Sequence, residues 1–296
     1  MTSSPPNPKK SSFGLSLKDV SVRFGKIPAL EGITVDVEQG ERLAVIGASG
    51  AGKSTLFRAL NRSVALEEGK VVLDGRDLYA LSKKELKGVR RRVGAIYQAY
   101  NLVPQLPAGV NVALGEVGRM GSLKTLRTFF AGPDRTLAKK VEAALEKVDL
   151  GGMAHQRTAD LSGGQQQRVA VARLLVQHPD LILADEPFAA VDPVTTERVM
   201  EALLELNDEG ATLVVNLHDV DFARRFPRVV ALRGGRVLFD GPPEQLTGER
   251  LEEIYVEDQH RSPAAGASPD GEDPRHCRQE PDSIRIPEGR DGISAH

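Results

Sequence analysis

GASGAGKS, Gly47 to Ser54, matches the pattern GxxxxGK[S/T] at every fixed position, with Thr55 directly after it. Before it runs the apolar stretch Leu43 to Ile46, read as a buried strand, and a helix is expected to begin near Lys53. A glycine-rich loop between a strand and a helix N-terminus is a phosphate cradle. Gly47, Gly50 and Gly52 let backbone N–H groups turn inward around phosphate oxygens, and Ala48, Ser49 and Ala51 complete the loop. Lys53 supplies a positive charge for the β and γ phosphates, and the Ser54 hydroxyl is a ligand for Mg²⁺. The alternative, a glycine-rich turn with no ligand, fits poorly with a complete motif in this context.

A phosphate loop does not name a reaction, so a partner motif is needed. LILADEP, Leu181 to Pro187, is a run of apolar residues ending in two adjacent carboxylates, as expected where a buried strand delivers acids to its carboxyl end. Asp185 is placed to hold Mg²⁺ and Glu186 to orient and polarise an attacking water. One carboxylate after a strand is commonly only an exposed turn. Two of them downstream of a phosphate loop point to nucleotide hydrolysis.

The deciding segment is LSGGQQQR, Leu161 to Arg168. Ser162, Gly163 and Gly164 sit where a helix through Val176 begins, so a hydroxyl and free N–H groups make a second anion-binding terminus; a glycine-containing helix cap is the plainer reading. Taken with the other two motifs, the segment closely resembles the ATP-binding cassette (ABC) family. The resemblance implies an α/β fold, a P-loop ABC ATPase cassette with a mixed sheet core, an antiparallel β subdomain and an inserted α-helical subdomain of about residues 99–178. It also implies that Ser162, Gly163, Gly164 and Gln165 of one copy bind the γ phosphate of ATP held by another. ATP and Mg²⁺ are then the cofactors and a homodimer is the working unit.

Further residues carry the resemblance. Phe24 matches the aromatic that stacks on adenine, although an aromatic at a strand end is as often core. Gln98 matches the glutamine that senses Mg²⁺ and the γ phosphate. Asp192, in AAVDP, matches the loop after the paired acids that crosses the dimer interface, and His218, in NLHD, the histidine that contacts the γ phosphate. A lone histidine after a strand is otherwise structural.

The remaining chain sets the context. Length and composition, 296 residues with 40% apolar, 27% charged and a net charge of -2, are those of an ordinary globular protein with no global pull toward nucleic acid, and no nucleic-acid partner is expected. Cys277 is the single cysteine, so no disulfide framework or cysteine metal site can be built. No apolar stretch is long enough to span a membrane, and MTSSPPNPKKSS lacks the apolar core of a signal peptide. Residues 1–12 and 258–296 read as disordered from composition, leaving one cassette at 13–257. Strands are expected at Leu15 to Phe24, Ile33 to Val37, Leu43 to Ile46, Val71 to Leu73, Val93 to Tyr97, Leu181 to Ala184 and Thr212 to Asn216. A capping box at Ser82 and Glu85 opens a basic helix through Arg92, and Val110 to Val148 is mostly helical.

A compact single cassette without long coiled coils resembles a transporter subunit. YQAYNLVPQLPAGVNV, Tyr97 to Val112, is similar to the importer stretch that receives a membrane permease, with Tyr97 and Tyr100 as exposed aromatics of a docking groove or, equally, as core. YNLV, ALGEVGRMGSLKTLRTFF (Ala113 to Phe130) and VVNLHDVDFA (Val214 to Ala223) resemble the phosphonate importer branch. The middle one, with Arg119, Lys124 and Arg127, also reads simply as a helical excursion with a basic solvated face. The expected role is the ATP-hydrolysing subunit of an importer for phosphonate or a related phosphorus oxyanion. It would work at the cytoplasmic face of the membrane, bound to permease subunits and indirectly served by a solute-binding protein. Ala99 and Ala190-Val191 depart from the usual pattern. The alternatives are an importer ATPase for another small solute, such as an amino acid, and a non-transport ABC ATPase.

Overall fold

A computed structural model describes residues 14–97, 100–188 and 192–255, with residues 122, 124 and 131 described by backbone alone. The expected disordered ends, and Gln98, lie outside these residues. The described residues all belong to one compact unit, Met1–Asp258.

Two sheets organise it. Leu15–Phe24 (β1) and Ile27–Val37 (β2) form a hairpin, Arg42–Ile46 (β3) leads into the phosphate loop, and Lys53–Leu60 (α1) leaves it. Glu68–Leu73 (β4), Arg76–Asp77 (β5), Lys83–Arg90 (α2) and Val93–Ile96 (β6) follow. Strands β2-β1-β4-β5 make an antiparallel four-stranded sheet. Asp74 and Gly75, both at positive φ, close the β4–β5 hairpin, the geometry for which an Asp-Gly pair is suited.

Between β6 and the next strand the described elements are helical: Ala108–Ala113 (α3), a 3₁₀ segment at Leu114–Arg119, Ser122–Ala131 (α4), Arg135–Lys147 (α5), a 3₁₀ turn at Thr158–Asp160 and Gly163–Gln177 (α6). Leu181–Asp185 (β7), Pro193–Asp208 (α7), Thr212–Asn216 (β8), Val220–Ala223 (α8), Arg228–Arg233 (β9), Arg236–Gly241 (β10) and Gly248–Tyr255 (α9) complete the chain. The second sheet has the order β10-β9-β3-β8-β7-β6; it is parallel except for the edge strand β10. Its central strands are buried on both faces. Leu43 and Val45 of β3, Leu181 and Leu183 of β7, and Val230 and Leu232 of β9 point to a core shared with α1 and the antiparallel sheet. Ala44 and Ile46, Ile182 and Ala184, and Val229 and Ala231 point to the core shared with α5, α6 and α7. This two-sided burial explains why these strands read as continuous apolar runs. Such an α/β cassette, with a mixed sheet, an antiparallel sheet and inserted helices, is the fold class expected.

The differences from the sequence reading are local. The strand expected at Ile33 begins at Ile27, because the chain turns at Gly25-Lys26 and pairs back at once, Phe24 opposite Ile27. The α2 helix ends at Arg90, two residues early, and β6 at Ile96. The strands β5, β9 and β10 were not anticipated. For β9 and β10 a signal existed: two apolar runs separated by Gly234-Gly235 form a hairpin pattern.

The helical insertion is fixed to its own entry loop by one buried amide. Asn111, fully buried, donates through Nδ2 to Thr158 Oγ1 at 2.8 Å and to the Val103 carbonyl at 3.0 Å, and its Oδ1 accepts from the Val103 N–H at 2.8 Å. Replacing it with the near-isosteric leucine strands those groups, at a cost of roughly 1–3 kcal/mol for a buried unsatisfied partner. Asn111→Leu is therefore expected to lower the urea midpoint with an unchanged m-value, whereas an unchanged midpoint would show that the network contributes nothing net.

Candidate functional site

The phosphate loop is built by backbone that no side chain could replace. Gly47 has φ 149° and a Cβ there would lie 2.3 Å from the Leu232 carbonyl oxygen of β9; at Gly52, φ 105°, it would lie 2.8 Å from the Ala29 carbonyl. The β3 strand thus ends wedged against its neighbours, and Gly52 caps α1 in a left-handed conformation that aims the helix N-terminus into the loop.

Lys53 is the first residue of α1 and is 5% exposed. Its ammonium donates to the Gly47 carbonyl at 2.6 Å and the Ala48 carbonyl at 3.0 Å, so the cation is held inside the loop it serves. Burial pushes its pKa down, while the nearby Glu186 and Asp185 carboxylates pull it up. These couplings bring the phosphate loop and the end of β7 into one electrostatic unit. Ser54 is exposed beside it and Thr55 half-exposed.

The two carboxylates have different settings. Asp185 ends β7 opposite Asn216 of β8, whose Nδ2 donates to Asp185 Oδ1 at 2.6 Å. Burial raises the Asp185 pKa, opposed by that hydrogen bond. Glu186, the next residue, has φ 53°, a left-handed conformation uncommon for a residue with a side chain. Its Oε1 lies 2.6 Å from His218 Nε2, with the glutamate side chain 18% exposed and the histidine 55%. The pairing follows from topology: β7 and β8 are parallel neighbours, so the residues just after both strands meet at the carboxyl edge of the sheet, where ligands bind in open α/β folds. His218 is therefore a half-exposed partner of Glu186 rather than a buried structural residue.

Other expected residues lie in distinct places. Phe24 is 47% exposed at the end of β1, which excludes a core role and leaves its ring free to stack. Ser162 caps α6: the Gln165 N–H donates to Ser162 Oγ at 3.3 Å and the Ser162 N–H to Gln165 Oε1 at 2.9 Å. Gly163 is exposed and Gly164 half-exposed, and the side chains of Ser162 and Gln165 bond to each other's backbone rather than to the phosphate loop. Asp192 caps α7, its Oδ1 accepting from the Thr195 N–H at 3.0 Å and its Oδ2 from Thr195 Oγ1 at 2.7 Å, which holds its pKa down. Gln98 lies outside the described residues.

Of the two readings open for Tyr97 and Tyr100, exposed aromatics or core, the structure falls between: both are half-buried, the Tyr97 hydroxyl accepting a hydrogen bond from Asn61 Nδ2. Two residues escaped the sequence reading. Asn216 had a signal, a polar residue ending a buried apolar strand. Arg173 had none: from the middle of α6 it donates to the Tyr100 carbonyl at 3.1 Å and the Asn101 carbonyl at 2.7 Å, pinning the loop that follows β6.

Comparisons with known proteins agree with this arrangement. The family model described as ABC transporter matches residues 30–189. The phosphonates import ATP-binding protein PhnC of Rhizobium etli is 44% identical over 244 residues, covering 82% of this chain and 86% of that protein. Its namesake from Shouchella clausii is 43% identical over 244 residues, covering 81% and 91%. A dimeric ATP-binding cassette solved in a post-hydrolysis state with ADP and Pi superimposes with a TM-score of 0.69 at 33% identity, over 77% of this chain and 98% of that one. A phosphate loop, paired acids and a serine-capped helix on a shared fold, matched over most of the length, place the conclusion beyond the motifs alone: the chain belongs to the ABC transporter family.

Proposed function

We propose that this chain is the ATP-hydrolysing subunit of a membrane import complex for phosphonate or a related phosphorus oxyanion. The observation that carries the substrate class is the identity of 44% over most of the chain to a protein named for phosphonate import. The carrying observation for hydrolysis is the Glu186–His218 pair beside the Lys53 loop.

Two copies would face each other, each holding ATP on Gly47 to Thr55 of one chain and Ser162 to Gln165 of the other, as the dimeric state of the solved relative supports. Lys53 offsets the β and γ phosphate charge from a site where burial strengthens it. Glu186, oriented by His218, polarises the attacking water; Phe24 offers a face for adenine; Gln98 and Asp192 complete the γ-phosphate and interface contacts. The residues also fit a magnesium ion. Ser54 and Asp185 supply a hydroxyl and a carboxylate, hard oxygen donors of the kind Mg²⁺ accepts, with nucleotide phosphates filling the remaining positions. When bound, Mg²⁺ neutralises charge on the phosphates during transfer. Among the described residues no helix is long and apolar enough to cross a membrane, so attachment would come through permease subunits at the cytoplasmic face, fed by a solute-binding protein. A cleft of about 380 Å³, lined by Lys87, Arg91, Arg119 and Arg173 among others, opens beside the loop after β6 and supports a docking place there.

The substrate class is tested by reconstituting the chain with its permease in vesicles. Hydrolysis stimulated by a binding protein loaded with methylphosphonate supports the reading; stimulation by amino acids alone contradicts it. Glu186→Gln should bind ATP normally, lower turnover by about 10²–10⁴-fold as loss of a general base does, and accumulate an ATP-dependent dimer on gel filtration. Lys53→Ala should instead weaken nucleotide affinity by about 10–100-fold, the worth of a charged hydrogen bond. A third expectation concerns acid. Mg²⁺ needs Asp185 ionised, and burial raises its pKa, so Mg²⁺-dependent hydrolysis should fall on acidification above the ordinary carboxylate range. The Asn216 amide favours the charged form; Asn216→Ala raises that pKa further and should shift the acid limb of the rate profile to higher pH, whereas an unmoved limb would mean another group controls it.

A further inference from the structure

The helix α4 carries a surface that neither the nucleotide site nor the sheet uses. Leu123 is 82% exposed, Leu126 56% and Phe130 85%, with Phe129 at 39% beside them. Leu123, Leu126 and Phe130 recur at i, i+3 and i+7, so on a helix they share one stripe. The opposite side holds the helix to the protein, where α4 touches α3 and Thr128 is 2% exposed. Scattered exposed leucines need no explanation, but four large apolar residues within a ten-residue helix do.

Charge singles out the occupant. From Val117 to Pro133 the sequence holds no Asp or Glu, while it carries Arg119, Lys124 and Arg127, in a chain whose net charge is -2. Arg127 is exposed and adjoins the apolar stripe. An apolar stripe with a cation, Arg127, at its margin and no acid nearby in sequence is the pattern of a helix lying in a lipid interface, where side chains enter the acyl boundary and cations meet anionic headgroups. These side chains stand outward from a convex helix, a shape to which a fluid surface conforms without needing a complementary groove.

We infer that α4 is an interfacial anchor that lays Leu123, Leu126 and Phe130 into an anionic lipid surface. Its effect is to add a direct lipid contact to whatever attachment a permease provides. The inference goes beyond the import reading and does not depend on the transported solute.

The chain contains no tryptophan, which gives the test a clean probe. Full-length protein is floated with large unilamellar vesicles of 30% phosphatidylglycerol in phosphatidylcholine and with pure phosphatidylcholine. Binding to the anionic vesicles, weakened by salt, is expected, with Leu123→Ser/Phe130→Ser bound at least about tenfold more weakly and its basal hydrolysis unchanged. Leu123→Trp should show a blue-shifted emission on adding anionic vesicles, and Leu238→Trp on β10 should show none. The inference is overturned if the wild type stays unbound, if the double variant binds as well as wild type, or if the Leu123→Trp emission shifts with protein concentration and not with lipid, which would make the stripe a contact between copies. Should the double variant lose hydrolysis through misfolding, the tryptophan readout decides alone.

Discussion

The Lys53 ammonium is a buried charge whose direct partners are two carbonyls of its own loop, and the rest of the molecule is arranged around that charge. Carbonyl oxygens are dipoles, not counter-ions, so the burial that lowers its pKa is only partly offset by Asp185 and Glu186. A phosphate group meets the unmet demand. The strand order β9-β3-β8-β7 makes this possible, because it separates the strand before the loop from the strand that delivers the acids by β8 alone, whose Asn216 stands between them. Positive and negative groups are thus held at the edge of one rigid sheet, where neither can relax away.

That rigidity shows at two backbone positions of the site. Gly47 meets the Leu232 carbonyl so closely that only glycine fits, and Glu186 holds a left-handed conformation despite its side chain. The first lets phosphate approach N–H groups; the second turns the carboxylate toward His218 rather than along the strand. A glutamate in a relaxed extended conformation would continue the alternation of β7 and place its side chain on a face of the sheet.

What the sequence made legible follows from which forces are local. The phosphate loop, the Ser82–Glu85 box and the apolar runs of β3, β7 and β8 are specified by residues a few positions apart, and the structure has them where they were expected. Contacts between distant segments were not legible. Nothing in NLHD says that His218 lies against Glu186; that depends on β7 and β8 being neighbours. The Glu186 φ and the half-burial of Tyr97 likewise come from tertiary context, whereas the cap role of Asp192, three residues from its partner Thr195, is local. Nor could periodicity tell which side of α4 is covered, since an apolar stripe on a helix reads the same whether it faces a core or stands in the open.

On the proposed function, the same long-range contacts would link a hydrolysis site to a transport partner without a separate device. One helix, α6, begins at Ser162 and Gly163 and carries Arg173 three turns later. Arg173 grips the Tyr100 and Asn101 carbonyls, and the Tyr100 hydroxyl lies 3.8 Å from where a Cβ of Gly163 would stand. The segment at Tyr100 and Asn101 is therefore held against α6 both near its N-terminus and along its length. A helix cannot compress, so a displacement of its N-terminal end reaches that segment as a rigid shift. Nucleotide contact made by a second copy at Ser162 would then be felt in the segment beside the basic cleft, with α6 itself as the lever.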